Sequence, residues 1–229
     1  PKGETKAVHW TAFGISLIPF ILTVVLWTQF TPGMEGYQFE EQYTWYPAIH
    51  SSFHVGVDGL SLSMVLLTTL LSPIALLASF NITDRPKVYM FLFLLLETGM
   101  LGVFMAVDLL IFFVFWEVGL VPMYFLINQW GSEKGEREIW KGTKVQSRNY
   151  ASLKFIIYTM GGSLGLLLAI QLLGVLFQTY DLQVLATSWT ALEGNLLGLP
   201  VATVKAVAFW AFVVAFAIKV PVWPFHTWL

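Results

Sequence analysis

Six long stretches of apolar residues, at 10–30, 61–80, 88–107, 109–130, 154–178 and 199–222, constrain this 229-residue chain more than any other feature. Each is long enough for roughly 20 residues to cross about 30 Å of hydrocarbon as an α-helix. Apolar residues run through them continuously instead of alternating, and an open strand in lipid would leave its backbone groups unsatisfied, so membrane-spanning strands are excluded. Composition agrees, because 57% of the residues are hydrophobic and only 11% charged, too few charges for a water-soluble domain of this size. The expected fold is all-α: a polytopic transmembrane helix bundle forming a single membrane domain over 1–229.

Sorting the charges by loop gives the bundle two sides. Lys2, Lys6, Arg85, Lys87, Lys134, Arg137, Lys141, Lys144, Arg148 and Lys154 fall in one set of connections. The alternate set holds Glu35, Glu40, Glu41, Asp58, Asp108, Asp181 and Glu193 and no Lys or Arg. By the positive-inside rule the first set, with the N-terminal segment, faces the cytoplasm or its equivalent. The segment 31–60 is aromatic, acidic and rich in turn formers, and reads as an ordered non-cytoplasmic loop. The insert 131–150 mixes both charge signs and reads as a cytoplasmic charged loop, with Trp140 as an available docking contact. Short turns at TDRPK (83–87) and around Asp108 force the spans from 61 to 130 to run as antiparallel neighbours.

Within the spans, Pro19 removes one backbone donor from the first helix, and Trp10 and Trp27 sit near its ends as interface anchors. Gly161 and Gly165 stand at GxxxG spacing beside Gly162, a pattern that permits close helix approach. The chain opens with Pro1 and a basic segment, has no initiator Met and no small-residue cleavage site, and stops at PVWPFHTWL within what reads as a structural element. It is expected to be an interior piece of a longer chain without a signal peptide. With no cysteine there is no thiolate ligation of iron-sulfur clusters, and no Gly-rich phosphate loop follows a strand, so redox cofactors are expected elsewhere. His50 and His54, with Asp58 one turn further, would gather around a metal on a helix, but Gly56 and the loop context argue against that.

The ionisable residues inside the apolar runs carry the functional reading. Nine of the ten residues from Leu109 to Val118 are apolar and the tenth is Glu117, which lies about 13 to 16 Å from either end of its span at 1.5 Å per residue. A carboxylate at that depth costs at least about 2.5 to 3.5 kcal/mol, so it must be paired, hydrated or protonated. Pro122 removes the donor that would serve the Val118 carbonyl, one residue from the carboxylate. Lys219 is the natural counter-charge, about 21 Å of helix beyond Lys205 and followed directly by Pro221 and Pro224. Those prolines place it at a discontinuity near 219–224, the construction by which transporters build ion sites. His226 titrates near neutrality and is a candidate relay; Glu97, beside Thr98 and Gly99, is a further one. Lys205 is close enough to the acidic surface to snorkel, and is carried as a third candidate.

The blocks LLIFFVFWEVGLVPMYFLINQWG and AFAIKVPVWPFHTWL, with VGVDGLSLSMVLLT at 55–68 and LKFIIYTMGGSLGLLL at 153–168, resemble the chain 4 antiporter-like subunits of respiratory complex I and of photosynthetic NAD(P)H dehydrogenases. The resemblance covers essentially the whole chain. It implies an antiporter-like inverted-repeat fold with a broken helix, and it places the family's buried glutamate on Glu117 and its broken-helix lysine on Lys219. It further implies a proton-translocating subunit of a quinone oxidoreductase, with no cofactor of its own. NAD(P)H or ferredoxin, iron-sulfur clusters and quinone would sit in partner subunits of a large hetero-oligomeric complex, in a bacterial inner or thylakoid membrane, or a mitochondrial or chloroplast one. The alternatives are a multi-subunit sodium/proton antiporter, a variant linked to carbon dioxide uptake, suggested by the longer charged insert, and a purely structural membrane subunit.

Overall fold

A computed structural model describes residues 2–140, 142–196 and 198–229, without the side chains of Lys2, Ile139, Trp140 and Leu196. The docking contact expected of Trp140 and the charge of Lys141 therefore lie outside the described residues. Six helical spans of membrane-crossing length and hydropathy are present among those described, so the chain is an integral, multi-pass membrane protein. The elements are α1 (Lys2–Gln29), β1 (Gln38–Tyr46), β2 (Ser51–Val57), α2 (Gly59–Ala78), α3 (Pro86–Met105), α4 (Leu109–Val118) and α5 (Leu120–Trp130). They continue with β3 (Glu136–Trp140), β4 (Thr143–Gln146), α6 (Ser147–Phe177), α7 (Leu182–Ala191), β5 (Asn195–Leu196), β6 (Leu199–Pro200) and α8 (Val201–Lys219). A 3-10 turn, Phe225–Trp228, follows α8.

Both expected loops are folded. Segment 31–60 holds the two-stranded β1–β2 sheet, and the charged insert forms the antiparallel β3–β4 hairpin, with Glu136 paired to Gln146 and Arg137 to Val145. The short helix α7 was not visible as an apolar run, because it has only ten residues and Gln183, Thr187, Ser188 and Thr190 among them are polar. The fourth span, read from the sequence as one helix, is two: α4 stops at Val118 and α5 begins at Leu120.

The residues fall into two compact units, Pro1–Tyr43 with Phe53–Met123, and Thr44–Ser52 with Tyr124–Leu229. In the first, α1, α2 and α3 pack against one another around Ala12, Leu76 and Met90, all nearly solvent-free, and α4 packs on α3. Lys87 donates to Glu4 at 2.8 Å and a His9 ring nitrogen lies 3.1 Å from the Ile82 carbonyl, so the N-terminal segment and the basic α2–α3 turn share one end. In the second, α6 packs along α8, with Leu166 and Ile170 fully buried.

Three acidic residues of the basic-free loops turn out to be helix N-caps. Ser61 N–H donates to Asp58 Oδ1 at 2.7 Å, Leu110 and Ile111 N–H donate to Asp108 at 2.8 and 3.1 Å, and Gln183 and Val184 N–H donate to Asp181 at 2.9 and 3.1 Å. Each carboxylate satisfies amide groups that the helix start leaves unpaired and complements the helix dipole. Asp108 is 1% exposed, which ties the α3–α4 turn firmly to the start of the span that carries Glu117. Val107 N–H also donates to the His54 carbonyl at 2.9 Å, fastening the same turn to β2.

Close approach between spans uses single glycines. The GxxxG pair Gly161 and Gly165 faces open space, whereas a Cβ on Gly162 would stand 2.8 Å from Ile218. The close helix approach that the pair's spacing permits is thus made by its neighbour, against α8. In the first unit a Cβ on Gly99 would stand 2.9 Å from the Gly119 nitrogen, and one on Gly102 would overlap the Phe115 ring.

Candidate functional site

Glu117 is the penultimate residue of α4, and the helix is interrupted immediately after it. Gly119 N–H reaches back to the Phe115 carbonyl across a long 3.4 Å, and Pro122 has no N–H to offer Val118. The backbone beside the carboxyl therefore lacks, in the middle of an apolar span, one amide donor that a continuous helix would supply. Around it the walls are aromatic and glycine-backed: Phe115 lies over Gly102, Phe112 and Trp116 have ring centroids 5.6 Å apart, and Gly119 meets Gly99. The Oε1 atom of Glu117 is buried and has no hydrogen-bond partner among the described residues. A buried carboxyl oxygen without a donor is costly, so the site calls for water, a proton or a cation.

Glu97 lies on α3 two residues before Gly99, as Glu117 lies two residues before Gly119. The antiparallel crossing of α3 and α4–α5 at those two glycines brings the stretches bearing both carboxyls together, with no side chain on either glycine. Glu97 is 3% exposed and its Oε1 is also without a partner among the described residues. Ser72 of α2 neighbours it, and its hydroxyl donates to the Thr68 carbonyl at 2.9 Å. A cleft of about 370 Å³ adjoins, bounded by Ile15, Ile18 and Pro19 on α1, Glu97 and Thr98 on α3, and Phe115 on α4.

Lys219 is the last residue of α8, half-buried, in the second unit. Its height follows from Gly162, which lies near the midpoint of the 31-residue α6 and packs on Ile218. The helix that carries the lysine therefore ends at mid-height of its longer neighbour. His226 lies beyond the break, exposed, in the 3-10 turn. Lys205 is in the first turn of α8, with its ammonium 5.8 Å from the Trp189 ring centroid, a cation–π contact that suits the snorkelling expected of it. His50 sits in a left-handed turn before β2, and His54 instead has a ring nitrogen 2.9 Å from Glu40 Oε2. No cluster of three metal-ligating side chains occurs among the described residues.

Two residues escaped the sequence reading: Trp228, whose indole N–H donates to the Ile218 carbonyl at 2.7 Å, and Lys154, which donates to the Thr227 carbonyl. For Trp228 the signal was present, since a tryptophan N–H in an apolar setting needs an acceptor.

The description "NADH:quinone oxidoreductase/Mrp antiporter, TM" matches residues 106–229, more than half of the chain. The chain is 38% identical over 232 residues to NAD(P)H-quinone oxidoreductase chain 4 of Acaryochloris marina, covering 100% of this chain and 39% of that one. It is 34% identical over 240 residues to NADH-quinone oxidoreductase subunit M of Rhodobacter capsulatus, covering 100% of this chain and 42% of that one. Among solved structures, a chain of respiratory complex I from Thermus thermophilus with bound NADH superposes with a TM-score of 0.72 at 27% identity, over 93% of this chain and 40% of that one. A chain of the Mrp complex from Dietzia sp. shares the fold, with a TM-score of 0.68 at 19% identity, over 93% of this chain and 23% of that one. The chain thus spans about two fifths of the length of the curated relatives it matches.

Proposed function

Because this chain belongs to the NADH:quinone oxidoreductase/Mrp antiporter transmembrane family, we propose that it is a proton-translocating membrane-arm subunit of a complex I-type NAD(P)H- or ferredoxin-linked quinone oxidoreductase, in which Glu117 and Lys219 hold and pass the proton. The observation that carries this reading is that both ionisable residues sit at interruptions of membrane helices, Glu117 at the end of α4 and Lys219 at the end of α8. Helix ends inside a membrane are where backbone groups and water gather around ions. Quinone reduction in partner subunits supplies the energy. A change of charge at a neighbouring site shifts the acid and the amine between paired and separated states, and each charge moved works against about 2.3 kcal/mol per 100 mV. Glu97 extends the path laterally from Glu117, and His226 and Lys205 are the outlying relay candidates. The basic end, with the N-terminus, faces the cytoplasmic-equivalent side. NAD(P)H, iron-sulfur clusters and quinone belong to the partner subunits.

The test uses the full-length subunit in its assembled complex. Glu117→Gln keeps size and hydrogen-bonding capacity and removes the titration. Proton uptake into vesicles per quinone reduced should fall by roughly 100-fold, the scale of a lost general acid–base group. Unchanged uptake with the complex assembled would leave the charges a structural role only. A sodium/proton antiporter shares the buried residues, and uptake that strictly requires sodium would select it instead. The folded β3–β4 hairpin favours, as a second reading, the form linked to carbon dioxide uptake, since it gives the charged insert a defined surface.

A further inference from the structure

Beyond the break in α8 the chain is held in a way that neither the sequence reading nor the family comparison assigns. Pro221 cannot donate to the Ala217 carbonyl, so Val222 N–H takes that role at 2.9 Å, one residue out of helical register. The Ile218 carbonyl, which Val222 would have served in a continuing helix, is left without its backbone donor. Trp228 supplies one: its indole N–H donates to that carbonyl at 2.7 Å. The same indole stacks obliquely on Phe155 of α6, with centroids 5.3 Å apart and planes at 57°. Next to it Lys154, in the preceding position of α6, donates to the Thr227 carbonyl and has its ammonium 5.9 Å from the Tyr150 ring centroid.

The result is a brace on both sides of the break, built on one helix. Above it, Gly162 of α6 admits Ile218. Roughly two helical turns earlier on α6, Lys154 and Phe155 hold the 3-10 turn, and from there Trp228 reaches back to Ile218. The carbonyl of Ile218 and the nitrogen of Lys219 belong to one planar peptide unit. Holding that carbonyl therefore fixes the plane from which the Lys219 side chain departs.

We propose that Trp228 is a positioning residue for Lys219: its indole N–H, backed by Phe155 and Lys154, orients the peptide that carries the amine. The inference rests on the reading of Lys219 as a proton-carrying group. It concerns direction and not chemistry, for Trp228 itself exchanges no proton.

The experiment introduces variants into the full-length subunit of the assembled complex and records, in sealed vesicles, proton uptake per quinone reduced across a range of pH. Trp228→Phe keeps the ring against Phe155 and loses only the N–H. Uptake should fall about fivefold, the equivalent of one hydrogen bond, and the pH at half-maximal uptake should move by about 0.7 unit, the same factor expressed in protons. A merely structural tryptophan would lower the amount of assembled complex without moving that pH. Trp228→His, which keeps a ring N–H donor, should recover part of the uptake. If Trp228→Phe does not assemble, Lys154→Met loosens the other arm of the brace and should shift the profile in the same direction by less. Lys219→Met separates the two ideas. Uptake abolished by Lys219→Met but untouched in size and pH profile by Trp228→Phe overturns the positioning role and spares the reading of Lys219. Uptake that survives Lys219→Met overturns both.

Discussion

The ends of α4 and α8 are both breaks in membrane helices beside an ionisable residue, and they are finished in opposite ways. At α4 the interruption is a single residue, Gly119, after which helix resumes at Leu120; the Val118 carbonyl gets no amide from Pro122, and Glu117 Oε1 has no partner among the described residues. At α8 Pro221 ends the helix, and two carbonyls of its last turn are served again, Ala217 by Val222 and Ile218 by Trp228. Under-satisfied polar groups raise the affinity of a site for protons and water, whereas fully served ones fix geometry. The acid site is thus built to accept something, and the amine site to point somewhere. A carboxyl can change its charge state in place. A lysine on a flexible four-carbon stem depends more on the direction from which it starts.

The contrast breaks most sharply at the acid. Glu117→Gln removes the titration and carries the largest expected loss of proton uptake. Pro122→Ala comes next, since alanine restores the N–H that a continuous helix would aim at the Val118 carbonyl, beside Glu117. The variant should be more stable by about 1 kcal/mol, one hydrogen bond, while proton uptake per quinone reduced drops several-fold. Thermal inactivation and vesicle uptake measured on one preparation check both signs. Uptake equal to that of the unaltered complex would mean that the open backbone at α4 does not contribute to the acid site.

Much of this was legible from the residues. Continuous apolar runs gave six spans, and their limits fall within a few residues of the helices except at α1 and α6, which begin eight and seven residues earlier, because Lys2 to His9 and Ser147 to Leu153 are too polar to read as membrane. Pro221 and Pro224 announced the break in α8, since a missing N–H is written in the sequence, whereas Pro122 was read as one lost donor inside a single span. How each break is repaired was not legible, because repair is a matter of which distant group arrives: Trp228 folds back on Ile218, and no local pattern encodes that return. The same holds for Glu97. Its burial follows from Gly99 meeting Gly119, a contact between helices whose faces the evenly apolar spans leave unmarked. The acidic residues Asp58, Asp108 and Asp181 were read as surface charge and act as helix caps, a role that their positions just before apolar runs would have allowed one to see.

The smallest effects come from the glycines, and they sharpen the comparison because the two breaks lean on their neighbours differently. Beside α4 the obstacle to a methyl group on Gly99 is backbone, the Gly119 nitrogen at 2.9 Å, which cannot move without shifting the break itself. Gly99→Ala should destabilise by about 1 to 3 kcal/mol, as overpacking does, and lower the temperature of inactivation accordingly. Beside α8 the obstacle on Gly162 is the end of the Ile218 side chain at 2.8 Å, which has rotamers to use, so Gly162→Ala should cost less than Gly99→Ala. Gly161→Ala is the control: it meets nothing within 4 Å and replaces a glycine inside a helix, so it should be neutral or stabilising by up to about 1 kcal/mol. The order Gly99, Gly162, Gly161 in inactivation temperature is the discriminating result. Equal losses at Gly161 and Gly162 would show that the GxxxG pair is itself a packing surface in the assembled complex, covered there by a neighbouring subunit.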